Sequence, residues 1–185
     1  MKVSRQQVAE NRCRILEAAG KLFRARGFES VTVAEVMKAA GLTHGGFYGY
    51  FTSKDDLIAQ CLVHASGAVP PKEVDLVQYA ASYLSVDHCG DLAGGCLMAA
   101  LGPETSRQGP EARAAMTAGL QRQIERLSKT APGATAAKKR QAAIGNWSAM
   151  VGALILARIS DDPKLAEEVL AQTKAWIASR GAKPH

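Results

Sequence analysis

A chain of 185 residues, 47% apolar and 22% charged, is long and apolar enough to bury the core of one or two domains, and its composition excludes wholesale disorder. The net charge of +6 is concentrated at one end: residues 1–54 hold nine Lys/Arg against four acids, or +5, and the remainder carries only +1. Excess positive charge in the first third suits a polyanionic partner, most simply nucleic acid.

No apolar run reaches the roughly 18 residues of a membrane span. The nearest stretch, 144–159, contains Asn146 and ends in Arg158. The N-terminal MKVSRQQVAENRCR lacks the apolar segment of a secretory signal, which makes the expected location cytoplasmic with no membrane partner. Cys13, Cys61, Cys89 and Cys96 form no Cys-x-x-Cys pair. Neither a metal site nor a cofactor is therefore expected.

The periodic segments all read as helix. Val8, Ile15, Leu16, Ala19, Leu22 and Phe23 stripe a helix over 7–26, with Gly27 supplying its left-handed end. Thr32 and Glu35 have the spacing of a capping box for a short helix over 33–40, stopped by Gly41. Thr43 is a cap candidate for a short helix over 44–51. Ser53, followed by Asp55 and Asp56, caps the next helix, whose stripe is Leu57, Ile58, Cys61, Leu62 and Ala65 and whose end is Gly67 and Pro70-Pro71. Further helices are expected over 72–86, 96–101 (before Gly102-Pro103), 111–129, 136–159, and from Pro163 to about residue 179. The stretch 88–95, with three glycines, reads as a loop. The fold class is all-α, with a helix-turn-helix domain over 1–53 and a helical domain over 54–185.

The informative stretch is 32–54, TVAEVMKAAGLTHGGFYGYFTSK. Two short helices about a tight turn at Gly41-Leu42-Thr43 form a helix-turn-helix, whose second helix can enter a DNA major groove. Phe47 and Phe51 are four residues apart and should point into the core. His44, Gly45, Tyr48 and Gly49 then face outward. Three glycines in one short helix cost about 1 kcal/mol each relative to alanine. Close backbone approach to another surface, such as a groove floor, is a reason to accept that cost.

This stretch resembles the DNA-binding domain of the TetR family of bacterial transcriptional regulators. The resemblance spans residues 8–62 and rests on Gly27-Phe28, Thr32-Val33, the run 39–43, Phe47-Tyr48-x-Tyr50-Phe51 and the run 53–57. It implies an N-terminal three-helix DNA-binding domain, a C-terminal ligand-binding and dimerisation domain, a homodimer on a near-palindromic double-stranded operator, and release by a small-molecule or thiol-reactive effector. By position, Thr43, His44, Gly45 and Gly46 would face bases or the groove floor, while Thr32, Tyr48, Tyr50 and Lys54 would contact phosphates. Gly49 replaces the family's commoner larger residue, which leaves Thr43 and His44 as the main base readers. An extended arm carrying Lys2 and Arg5 could add contacts. Repression is the family's usual behaviour.

In the second domain, small residues beside Trp147, Met150, Leu154 and Trp176 mark the expected dimer interface. Cys61, His64, Tyr79, Tyr83, Cys96, Met98 and Trp147 are candidates to line an effector pocket. Cys96 follows a glycine loop and opens a short helix, a position that stabilises thiolates in general. It resembles the reactive cysteine of a subset of the family, with Cys89 as a resolving thiol. No phosphate loop, nucleophile elbow, carboxylate pair or metal motif occurs, so the chain is not expected to be an enzyme. The alternative is a structural helical module that binds a protein through its basic domain without specific DNA recognition.

Overall fold

The computed structural model describes residues 4–67 and 74–181. Among them the secondary structure is helical throughout: α1 (Arg5–Arg26), α2 (Val33–Ala39), a 3-10 helix (His44–Gly49), α3 (Lys54–Gly67), α4 (Leu76–Tyr83), α5 (Val86–Gly90), α6 (Leu97–Thr105), α7 (Pro110–Ser128), α8 (Ala136–Ile159) and α9 (Pro163–Gly181). Lys2, Pro70-Pro71 and the expected helix start at residue 72 lie outside the described residues.

The chain divides into two compact units. The first takes the described residues up to 67 together with Ala100–Gly119. The second takes the described residues from 74 to 99 and from 120 onward. The expected boundary between residues 53 and 54 falls at the head of α3. Packing assigns that helix to the first unit, because Leu57, Ile58, Cys61 and Leu62 are buried there against α1. Two helices, α6 and α7, contribute residues to both units.

Local chemistry sets the helix ends of the first unit. Ser4 Oγ accepts the Gln7 N–H and starts α1, so Arg5 is helical and not part of an extended arm. Gly27, at φ +81°, ends it with its N–H bonded to the Phe23 carbonyl. The capping box of α2 is complete. Thr32 Oγ1 accepts the Glu35 N–H at 3.2 Å, and Glu35 Oε2 accepts the Thr32 N–H at 2.8 Å. Such caps contribute about 1 kcal/mol each. Gly41, at φ +69°, makes the turn. The fully buried side chains include Ile15, Phe23, Phe28, Met37, Phe47, Phe51, Leu57 and Leu62.

In the second unit, Leu76, Ala80, Tyr83 and Leu84 pack with Leu127, Ala143, Trp147, Met150, Leu154, Leu170 and Ile177 into one apolar core. Three expectations are corrected. Residues 88–90 of the expected loop belong to the helix α5, since Ser85 Oγ accepts the His88 N–H and caps it. The helix α6 runs on through Gly102-Pro103 to Thr105, because a proline removes one donor only; Thr105 Oγ1 and the Ser106 N–H bond to the Leu101 and Gly102 carbonyls beyond it. Finally, α8 reaches a mean hydropathy of 1.4 over 18 residues, so by length and composition it could cross a membrane. Its apolarity has a packing origin on one side, where Ala143, Trp147, Met150, Ala153, Leu154 and Ala157 are buried in the core.

Candidate nucleic-acid interface

The segment after the turn is the part of the first unit with least side chain. It forms a 3-10 helix over His44–Gly49 where an α-helix over 44–51 was expected. Two causes act together. Gly45, Gly46 and Gly49 have poor α-helix propensity. Thr43, although in a cap conformation, makes no side-chain cap bond, unlike Thr32 and Ser53. Tyr50 then ends the segment, with its N–H bonded to the Phe47 carbonyl at 2.9 Å.

Two aromatic rings anchor this segment inward. Phe47 and Phe51 are buried and stacked with centroids 5.7 Å apart, and the Arg12 guanidinium of α1 lies 5.4 Å from the Phe51 ring centre. Thr43, His44, Gly45, Tyr48 and Gly49 are exposed, Tyr48 at 75%. A Cβ added at Gly45 or Gly49 would meet no atom within 4 Å, and neither residue has a positive φ. Nothing within the chain therefore demands glycine at these two places. Gly46 is partly covered, near the Met37 side chain.

The expected phosphate contacts divide into two kinds. Tyr48 projects outward. Tyr50 is half-buried, and its hydroxyl accepts from Asn11 Nδ2 at 2.9 Å. Its first role is thus to hold the segment to α1. Asn11 is itself buried and bonded to Gln7 and Arg14, the latter at 2.5 Å. Sequence reasoning passed over Asn11, although it is a polar residue in step with the apolar stripe between Val8 and Ile15. Thr32 is committed to its cap through both its N–H and its hydroxyl. Lys54 reaches back, with Nζ donating to the Glu29 carbonyl at 3.4 Å.

Charge around α2 is tightly held. The Arg26–Glu35 ion pair is 2.8 Å long, and Arg26 also donates to the Ser30 carbonyl at 2.7 Å. The Thr32 N–H, then Arg26, then the Thr32 hydroxyl lower the Glu35 carboxyl from 4.5 to about 2. Asp56, bonded to Gln60 and to the Thr52 N–H, is likewise lowered.

The candidate effector residues do not form one group. Cys61 and His64 belong to α3 in the first unit. The Cys61 thiol is buried against the Leu16 carbonyl, and burial pushes it up to about 12. The other five are in the second unit. Tyr79, Tyr83 and Trp147 form an aromatic cluster with centroids 5.3–6.4 Å apart, and Cys96 and Met98 pack against the same core. Burial first, and the neighbouring Cys96 sulfur second, push both phenols above their usual range. The buried Tyr83 hydroxyl has no hydrogen-bond partner.

Arg158 stands in the last turn of α8. It is a staple, donating to the carbonyls of His88, Cys89 and Asp91 at 3.0–3.2 Å and so organising the glycine-rich stretch before Cys96. Of the expected dimer residues, Trp147, Met150 and Leu154 are buried in the chain's own core. The exposed apolar side chains of α8 and α9 are Ile144, Leu156, Ile159, Leu165 and Trp176. Among the described residues no group of three or more His, Cys, Asp or Glu is placed to hold a metal.

Residues 15–61 match the family model described as bacterial regulatory proteins, tetR family. Over those residues the chain is similar to the TetR family of regulators. The match covers the second half of α1, then α2, the 3-10 helix and the first half of α3. The chain is 43% identical over 53 residues to the uncharacterized HTH-type transcriptional regulator YdgC of Bacillus subtilis, covering 29% of this chain and 27% of that protein. It is 39% identical over 57 residues to the HTH-type transcriptional regulator AcrR of Shigella flexneri, covering 31% and 26%. The matched segment thus spans about a quarter of these relatives. They are named as HTH-type transcriptional regulators. The fold is shared over nearly the whole chain with reduced NemR of Escherichia coli, at a TM-score of 0.76 and 23% identity, covering 94% of this chain and 98% of that one. TylP, a TetR regulator of Streptomyces fradiae, gives a TM-score of 0.64 at 26% identity, covering 98% and 90%.

Proposed function

We propose that this chain is a homodimeric regulator of the TetR type, a repressor, that reads a near-palindromic DNA operator through residues 43–49 and leaves it when an effector acts on the second unit. The observation that carries the DNA reading is the open space at Gly45 and Gly49. A helix serving only its own fold gains from alanine there, whereas a backbone that must sit against a groove floor does not. The outward His44 and Tyr48, and the charge of +5 over residues 1–54, fit the same partner.

The dimer reading rests on α8. Its inner side is filled by the chain's own core, yet Ile144, Leu156 and Ile159 remain exposed on it, beside Leu165 and Trp176 of α9. Two copies related by a two-fold axis would cover these side chains in a self-complementary interface. The effector reading centres on Cys96, a half-buried thiol just before α6, beside the buried Tyr83 and the half-buried Tyr79. The NemR structure with this fold is described as the reduced form.

The test begins with a duplex selected from a random pool and followed by fluorescence anisotropy. Gly45→Ala should keep the wild-type melting temperature or raise it, and should bind the selected duplex at least tenfold more weakly. Wild-type affinity in that variant would refute close backbone approach. A thiol-reactive electrophile should release the wild type and spare Cys96→Ser. If both proteins hold the duplex, Cys96 is core packing and the effector is a reversible ligand.

A further inference from the structure

The turn that leads from α1 into α2 is held by an acceptor from far along the chain. Gly27 ends α1 in the left-handed region, which leaves the next N–H, that of the fully buried Phe28, in need of a partner. The Glu104 carboxylate supplies it: Oε2 accepts the Phe28 N–H at 2.7 Å. The same carboxylate lies flat against Gly27, where an added Cβ would stand 2.5 Å from Oε1. Phe28 in turn packs edge-on to Phe23 at 5.3 Å, and the following residues are fixed by Arg26 on the Ser30 carbonyl and Lys54 on the Glu29 carbonyl. Residues 26–35 are therefore a tied strap that delivers Thr32 and α2, and one of its ties comes from α6.

The residues of α6 are divided between the two units. Cys96, just before it, and Met98 and Ala99, at its start, pack with the core of the second unit, while residues from Ala100 onward, with Leu101 and Thr105 buried, belong to the first. We propose that Glu104 is a positioning residue for DNA reading: its bond to the Phe28 N–H sets the strap that places the helix-turn-helix. The inference rests on the DNA-reading function proposed above and adds a positioning residue to it.

Three variants of the full chain separate a specific bond from a bulk effect. Glu104→Ala removes the acceptor. Glu104→Asp keeps the charge but falls one methylene short of the N–H. Glu104→Gln keeps the length and an acceptor oxygen. Each is measured against the selected duplex and a random duplex, with amide hydrogen exchange at Phe28. The expected result is that Ala and Asp weaken selected-duplex binding about tenfold, leave random-duplex binding within about twofold, and speed Phe28 exchange, whereas Gln recovers most of the wild-type values. Wild-type selectivity in Glu104→Asp, with Phe28 exchange unchanged, overturns the proposal alone. A wild type that fails to distinguish any selected duplex from random overturns the DNA reading, and the role of Glu104 with it.

Discussion

Asn11 of α1 and Tyr50 at the end of the reading segment are joined by a 2.9 Å hydrogen bond across 39 residues of sequence. The bond locks the short 3-10 helix to the longest helix of the first unit, and it uses the Tyr50 hydroxyl as acceptor while leaving its O–H to donate outward. Tyr50→Phe removes the acceptor and leaves a buried amide N–H short of a partner, a cost of about 1–3 kcal/mol. Urea unfolding should show that loss, and weaker binding of a selected duplex should accompany it. Unchanged stability would mean that the bond contributes nothing.

His44 and Lys54 should differ in kind. His44→Ala should relax sequence preference, because the side chain at the head of the segment is placed to meet a base edge. Lys54→Ala should weaken selected and random duplexes alike and lower the slope of log affinity against log salt by about one unit. Equal losses on both duplexes for His44→Ala, or an unchanged salt slope for Lys54→Ala, would reverse these assignments.

Acid should loosen α2 through Glu35. Its carboxyl is lowered from 4.5 to about 2 by the Thr32 N–H and by Arg26. A depressed carboxylate contributes stability that is present above the unfolded value and is lost as pH falls through the folded one. The window is therefore about pH 4.5 down to 2. Melting curves across it should show Glu35→Gln less stable than wild type at pH 7 and converging with it near pH 2. A constant gap would show that the carboxylate charge is irrelevant to the cap.

Thiol accessibility separates the cysteines. Cys61 is buried with its thiol pushed up to about 12, whereas Cys13 is exposed and Cys96 half-buried. Timed alkylation at pH 7.5, read by mass spectrometry, should modify Cys13 quickly, Cys96 more slowly, and Cys61 only on unfolding. Early labelling of Cys61 would contradict its place between α1 and α3.

For the dimer, exposure distinguishes residues that share one helix. Ile159 is 73% exposed and Trp147 only 6%. Ile159→Glu combined with Leu156→Glu should yield a folded monomer by equilibrium sedimentation. Trp147→Ala should instead cost about 3–5 kcal/mol of folding stability by opening a cavity in the core. Dimers that survive the glutamates would place the interface elsewhere.

These contrasts also mark what could be read from residues alone. The box at Thr32 and Glu35, the left-handed Gly27 and Gly41, and the inward pair Phe47 and Phe51 are local or four-residue relationships, and the structure has each in place. The 3-10 form of residues 44–49 was not legible, because the same glycines and exposed positions fit either helix. The choice of face on α8 was not legible either. Trp147 and Ile159 are both apolar, and periodicity ranks neither as the side turned to the chain's own core. Glu104 and Arg158 act on backbone groups 76 and about 70 residues away, contacts that no spacing encodes. The helix α5 escaped notice for its length, five residues held by one serine cap.

The bare reading segment has a consequence for the genome as a whole. Six residues with three glycines present few long side chains to base edges, so each half-site would carry little information from direct contact. Discrimination then shifts toward the width and stiffness of the duplex, which many sequences share. A regulator built this way would recognise a loose consensus and spread over a graded set of promoters, its reach set by how many copies of the protein the cell maintains.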